Sequence, residues 1–158
     1  MPKLKLSDWA SISEIIASVV IVLSLIYLAF ELNQNTKALQ QGSYQSTMDR
    51  LGSFEMVLAS QEDLADIYSR AENNPSQVSP MEWFRYSHFM MPRFGEWEYL
   101  YLSRQEDAIS EIQWSAFEAY FLEMACKPGN VHFWNENRLA WSPAFKDYVE
   151  LQALAGCK

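Results

Sequence analysis

Histidine is scarce in this chain, and so are the spacings that hold metal ions. His88 and His132 are the only two histidines among 158 residues, and they lie far apart in sequence. Neither stands three or four residues from a second strong metal ligand on an obvious common helix face. We therefore expect no metal and no cofactor.

Cysteine is equally scarce. Cys126 and Cys157 form no CxxC pair, and two residues are too few for a disulfide framework. We expect a buried thiol at Cys126 and an unpaired thiol in the tail at Cys157. A bridge between them stays open as an alternative for a domain that faces an oxidising compartment.

Catalytic motifs and excess positive charge are also missing. The sequence contains no GxSxG, HExxH, phosphate loop or GxGxxG, so hydrolases, zinc peptidases, nucleotidases and dinucleotide-binding enzymes lack their minimal parts. Twenty acidic against twelve basic residues give a net charge of -8, which repels a phosphate backbone. We expect neither catalytic residues nor a nucleic-acid partner.

One long apolar run is present near the N-terminus. Ile15 to Phe30 contains no charged residue, and with the flanking turn from Trp9 a helix here spans about 30 Å, the thickness of a bilayer core. A cleaved signal peptide, a buried core helix and an interfacial helix are the alternatives. Bulky residues at the end of the run argue against a cleaved signal peptide. The lack of a polar stripe argues against a buried core helix, and the lack of a charged face argues against an interfacial helix.

The predicted anchor helix has a candidate surface for a partner helix, but the sequence does not decide in which direction the anchor crosses the membrane. Small side chains recur on one side of the predicted transmembrane helix, where another helix could approach closely: Ala10, Ser13, Ala17 and Ser24. The alternative is that Ala and Ser are simply common in such helices. Lys3 and Lys5 precede the span and Lys37 and Arg50 follow it, so the side of the remaining chain is undecided.

The rest of the chain has helical spacing and no alternating strand pattern. The anchor helix is expected to continue beyond the membrane, with Gly42 and Gly52 as candidate breaks. Capping boxes at Ser79–Glu82 and Ser110–Gln113 predict two later helix starts. The fold class is therefore all-α: one N-terminal transmembrane helix, extended beyond the membrane, and a small helical bundle. We place the anchor in residues 1–40 and the domain in residues 41–158.

Two aromatic stripes and one arginine stand out in the domain. The stripes recur every three or four residues and predict a mutual core, with a ligand pocket as the alternative; they comprise Tyr86, Phe89, Met90, Phe94, Trp97, Leu100 and Tyr101, then Trp114, Phe117, Phe121 and Met124. Arg93 lies on the apolar side of the first stripe and needs a partner. We expect a structural ion pair with Glu96 or Glu118; a carboxylate-binding or catalytic site and plain solvent exposure are the alternatives.

Residues 24–29 read SLIYLA and are followed by Gln34-Asn35-Thr36. In this segment the chain resembles a widespread group of small uncharacterised bacterial single-pass membrane proteins. The likeness begins there. It extends through Arg93 and Glu96 to Pro128-Gly129, Trp134 and the helix start at residues 142–145. The resemblance implies an N-terminal anchor, a C-terminal helical domain and a bacterial membrane location, which we expect to be the inner membrane. Members of the group often carry more arginine at the positions of Glu31 to Lys37, which suggests a cytoplasmic domain for them. This chain departs from the group there, so that the resemblance leaves the side of the domain undecided.

Three functions of different kind remain open at this point. The leading hypothesis is a non-enzymatic accessory or scaffold subunit that associates with a larger membrane protein complex or with itself. The second is a ligand-sensing module with a pocket among Trp97, Trp114 and Trp134 near Arg93. The third, an enzyme, requires Arg93, Glu96 and His88 to converge in one cleft.

Overall fold

The structure, a computed structural model, describes the backbone of residues 6–157 and the side chains of Trp9 and residues 11–157. It divides into two units, Met1–Leu39 and Gln40–Lys158. The described residues form six α-helices and no strand: α1 (Leu6–Ser60), α2 (Glu62–Asn73), α3 (Pro80–Gln105), α4 (Glu111–Ala125), α5 (Pro128–Asn137) and α6 (Pro143–Tyr148). A π-helical turn, Val149–Ala153, and a 3₁₀ turn, Leu154–Gly156, follow α6. The predicted all-α class, with a long apolar helix before a helical domain, is confirmed.

The first unit is the N-terminal part of α1, and it is a candidate membrane span. An 18-residue window within this helix has a mean hydropathy of 2.5, and none of it is buried by the protein. A core helix of a water-soluble fold encloses its apolar side chains, whereas here even Ile15 and Leu25 are exposed. The second unit begins at Gln40, one residue before the start that we placed at residue 41.

The expected break at Gly42 or Gly52 does not occur, because α1 continues through both glycines to Ser60. A glycine costs a helix only about 1 kcal/mol relative to alanine. Side chains from the last turns of α1 make compensating contacts: Thr47 is fully buried, and Arg50 forms an ion pair with Glu96 of α3. Tertiary contacts therefore outweigh the local weakness.

Both predicted capping boxes are present. Ser79 accepts a hydrogen bond from the Glu82 amide while the Glu82 carboxylate accepts one from the Ser79 amide, and Ser110 and Gln113 repeat this exchange at α4. Each box satisfies two amides that a helix start otherwise leaves unpaired. The positions of α3 and α4 along the chain thus follow from local sequence.

The capping box at the start of α3 is expected to make the stability of the domain depend on pH. Arg70 and Ser79 lower the pKa of Glu82 from its usual 4.5 to about 2, mainly through the Arg70 hydrogen bond. A carboxylate whose pKa is lowered by folding stabilises the fold above its unfolded pKa and loses that contribution as the pH falls through its folded pKa. Unfolding midpoints of wild type and Glu82→Gln should therefore converge between pH 4.5 and pH 2. A gap that stays constant over this range would contradict the assignment.

Aromatic side chains from both predicted stripes form the core of the second unit. Trp97 is fully buried, stacks on Phe121 with ring centroids 5.3 Å apart, and meets the edges of Phe145 and Tyr148. Face and edge contacts of this kind add to the burial of apolar area. The stripes therefore pack α3 against α4 and α6.

The expectation of two separate thiols is wrong, because Cys126 and Cys157 form a disulfide with a Cα–Cα distance of 5.1 Å. Cys126 caps the end of α4, and Cys157 follows the last described 3₁₀ turn. The bond joins residues 31 positions apart in sequence. It therefore fixes the C-terminal turns to α4, an arrangement that only the tertiary fold produces.

Helices α2 and α5 cross at Gly129. A Cβ atom at this position would lie 2.2 Å from the carbonyl oxygen of Ala71 and 2.8 Å from Cα of Glu72. Both atoms belong to the backbone of α2, which cannot rotate away as a flexible side chain can. The neighbouring Asn130 is fully buried, accepts a hydrogen bond from the Tyr86 hydroxyl, and donates one to the Met124 carbonyl at 2.8 Å.

Gly129→Ala should destabilise the domain by about 1 to 3 kcal/mol, the usual cost of forcing an extra group into a packed contact. Gly95→Ala is the matched control, because a Cβ there meets nothing within 4 Å and alanine is the better helix former. Denaturant unfolding should show a lower midpoint for Gly129→Ala and an equal or higher one for Gly95→Ala. Equal midpoints for the two variants would refute the close contact.

Candidate functional site

Arg93 of α3 is buried in the second unit inside a group of aromatic rings. Only 3% of the residue is exposed. Its guanidinium carbon lies 5.6 Å from the ring centroid of Tyr120 and 5.9 Å from those of Phe54 and Tyr68. Aromatic rings attract a cation, but they supply no conventional hydrogen-bond acceptor. The rings therefore attract the charge of Arg93 but supply no acceptor for its Nε.

The predicted ion pair of Arg93 with Glu96 or Glu118 is wrong. Arg93 contacts Glu55 of α1, with Nη1 and Oε1 3.5 Å apart. Glu96 instead accepts hydrogen bonds from Arg50 and from Thr47, each at 2.9 Å. Glu118 accepts one from the Tyr148 hydroxyl at 3.0 Å. The extension of α1 supplies the partners of Arg93 and Glu96, which the α3 and α4 sequences alone do not reveal.

The guanidinium of Arg93 retains unused hydrogen-bonding capacity. Within the described part of the chain, its buried Nε has no hydrogen-bond partner. The contact with Glu55 is longer than a charge-assisted hydrogen bond, and the Glu55 side chain is 64% exposed. A buried donor without an acceptor is costly, and Arg93 is the charged residue among the described side chains that leave such a donor unpaired.

A pocket of about 250 Å³ opens beside Arg93. Its lining residues come from α1, α2, α3 and α4 and from the segment before α5: Glu55, Leu58, Tyr68, Glu72, Arg93, Tyr120, Glu123, Met124 and Lys127. Burial raises the pKa of the Tyr68 phenol above its usual value, so the hydroxyl stays protonated and donates to Glu72 at 2.9 Å. Three carboxylates and two cations therefore surround the space.

A second, apolar groove of about 500 Å³ adjoins this pocket, because the two share Glu55 and Tyr120. Its other lining residues lie on α1 and α4: Tyr44, Met48, Leu51, Gly52, Ala116 and Phe117. Among all these residues Glu55 is the one with a formal charge. The pair of cavities thus changes from polar and charged at Arg93 to apolar along α1 and α4.

The pocket near Arg93 does not lie among the three tryptophans where we predicted one. Trp97, Trp114 and Trp134 are at most 1% exposed, and each packs against other aromatic rings. None of the three lines the pocket at Arg93. Helical spacing identified Trp97 and Trp114 as buried, but it did not indicate whether the rings enclose space.

The structure does not bring Arg93, Glu96 and His88 together. His88 is exposed, and its Nδ1 lies 2.9 Å from the carbonyl oxygen of Phe84, while Arg93 and Glu96 each face the separate partners given above. His132 contacts Glu136 with a separation of 3.4 Å. No group of three metal-binding side chains occurs in residues 11–157. A cleft built from the three named residues is therefore absent from the described chain.

The small-residue face of the first unit is exposed where the structure describes it. Ser13, Ala17 and Ser24 all lie on the exposed surface, and the side chain of Ala10 falls outside the described set. The Ser13 hydroxyl donates to the Trp9 carbonyl at 2.7 Å, and the Ser24 hydroxyl donates to the Val20 carbonyl at 2.8 Å. The hydroxyls are thus satisfied within their own helix, which leaves a face of small side chains.

Comparison with known proteins adds no identity: no protein-family model, no curated protein and no solved structure matches the chain. The resemblance to a bacterial membrane protein group stays a prediction.

Proposed function

We propose that this chain is a non-enzymatic accessory or scaffold subunit, anchored in a bacterial inner membrane by the apolar part of α1. The observation that carries the proposal is the apolar 18-residue window of that helix, none of which the protein itself buries. Lipid is the solvent that suits such a surface, since a helix satisfies its own backbone polar groups there.

The partner is a larger membrane protein complex or a second copy of the same helix. The small-residue face supports this assignment, because Ala and Ser let two helix backbones approach closely in lipid. The hydroxyls of Ser13 and Ser24 are already bonded within the helix, so the contact relies on close packing instead of a polar exchange.

We further propose that the helical domain lies in an oxidising compartment, the periplasmic side of that membrane. The Cys126–Cys157 bond supports this, since stable disulfides are rare in the cytosol. Lys3 and Lys5 at the other end of the anchor agree with a cytoplasmic N-terminus. Alkylating free thiols before lysis, followed by peptide mass spectrometry, should find both cysteines unmodified and joined. Alkylated cysteines in cells would place the domain in the cytosol.

Copurification in mild detergent tests the partner assignment. Ala17→Phe places a bulky ring on the small-residue face, and Val19→Phe places the same ring on the opposite side of the helix. We expect a companion protein or a self-associated species with wild type and Val19→Phe, and its loss with Ala17→Phe. A monodisperse monomer without a companion in the wild type would overturn the proposal.

A ligand-sensing module is the second candidate function, and one observation favours it. Arg93 is buried, lacks an acceptor at Nε and lines an open pocket. An ion pair serving only to join helices would use a bonded partner, as Glu96 does with Arg50.

A further inference from the structure

We propose that the Arg93 pocket and the adjoining groove together bind one straight-chain monocarboxylate. Its carboxylate would lie against Arg93, and its hydrocarbon chain would lie in the groove between α1 and α4. This inference rests on the ligand-sensing function, for which it names the class of ligand.

The carboxylate end follows from the donors of Arg93. A guanidinium presents its N–H groups in a planar fork that matches the two oxygens of a carboxylate. Arg93 lines the pocket, and its Nη1 has a contact of 3.5 Å with Glu55, longer than a charge-assisted hydrogen bond. An oxyanion in the pocket would take the place of Glu55 at the terminal nitrogens of the guanidinium, while the enclosed Nε stays unpaired.

The charges around the pocket select a single negative charge. Within the described chain Glu55 is the one carboxylate in contact with Arg93, at 3.5 Å, and its side chain is exposed enough to turn into solvent. A ligand carboxylate that takes its place exchanges one negative charge for another. A phosphate dianion would add a further charge beside Glu72 and Glu123, which also line the pocket. A monocarboxylate therefore fits better than a phosphate.

The hydrocarbon end follows from the groove. Tyr120 lines both cavities and has its ring over the Arg93 guanidinium, so the apolar space starts where the carboxylate would bind. Gly52 leaves the α1 side open, because a Cβ there meets nothing within 4 Å. Burying four additional methylenes strengthens binding on the order of one hundredfold, so octanoate should bind far more tightly than butyrate.

Two glycine substitutions provide a matched test. Gly52→Leu places a side chain in the groove, whereas Gly42→Leu makes the same change on α1 at a position that does not line it. Neither new side chain begins against a packed neighbour, so both variants should fold. Arg93→Gln removes the charge at the other end of the site.

Equilibrium dialysis of octanoate against the full chain in nanodiscs, with empty nanodiscs subtracted, gives the measurement. Wild type and Gly42→Leu should bind one octanoate per chain saturably. We expect Arg93→Gln and Gly52→Leu to bind at least about tenfold more weakly, the usual loss for a charge-assisted hydrogen bond or several methylenes. Octanol, which has the chain but no charge, should compete poorly.

Four outcomes would overturn the proposal: no saturable octanoate binding, full binding by Gly52→Leu, full binding by Arg93→Gln, or equal competition by octanol. Two further small-molecule probes, the free amino acid glycine and inorganic phosphate, distinguish a wrong ligand class from a failure of the ligand-sensing function. If either binds in an Arg93-dependent manner while octanoate does not, the ligand class is wrong and the sensing function stands. If none of the three probes binds, both are refuted.

Discussion

Removing the Cys126–Cys157 disulfide is expected to lower the free energy of unfolding of the helical domain by roughly 3 to 4 kcal/mol. The bond closes a loop between residues 31 positions apart, and this magnitude is the loop-closure entropy that it removes from the unfolded chain. Denaturant unfolding of the full chain in nanodiscs, with and without reductant, measures the difference. The unfolding midpoint should fall on reduction.

The control is a variant in which both Cys126 and Cys157 are serine. It should unfold like the reduced wild type and should not respond to reductant, because it has no bond to break. Mass spectrometry should find a bridged peptide before reduction and free thiols after it. If the unfolding midpoint of the wild type stays unchanged across this reduction, the bond does not stabilise the domain.

Trp97→Ala is expected to destabilise the domain by about 3 to 5 kcal/mol, the usual cost of truncating a buried aromatic residue. Trp97 is fully buried and contacts the rings of Phe121, Phe145 and Tyr148. Its removal leaves a cavity among three elements that cannot all close around it. Unfolding followed by circular dichroism should show a large fall in midpoint.

Trp9→Ala is the matched control, because the same side chain is 59% exposed and belongs to the first unit. This change should leave the domain's midpoint within about 0.5 kcal/mol of the wild type. Trp97→Phe should fall between the two, since it keeps an aromatic ring in the site. If the unfolding midpoint of Trp97→Ala is no lower than that of Trp9→Ala, the core does not depend on Trp97.

The helical class and the helix starts were predictable because they depend on neighbouring residues. The capping boxes at Ser79 and Ser110 are local hydrogen-bond exchanges, and the aromatic stripes report burial through their spacing. The continuity of α1 through Gly42 and Gly52 was not predictable from propensity. A penalty of about 1 kcal/mol is smaller than the tertiary contacts made by the same helix.

The candidate site was predicted only in part. The sequence identified Arg93 as a buried charge that needs a partner, but spacing along α3 suggested Glu96. The actual partners of Glu96 are Thr47 and Arg50, 49 and 46 residues away. No helical period links such positions. The same limit applies to the disulfide, since a separation of 31 residues does not indicate proximity.

The close approach at Gly129 has a consequence for finding relatives of this chain. Any protein that keeps the same crossing of α2 and α5 must keep a residue without a side chain where the backbone carbonyl of Ala71 comes within 2.2 Å of a Cβ position. Substitution of exposed residues is far less constrained. A Pro-Gly-Asn sequence that opens a helix is therefore a signature by which distant relatives could be recognised after overall similarity has faded.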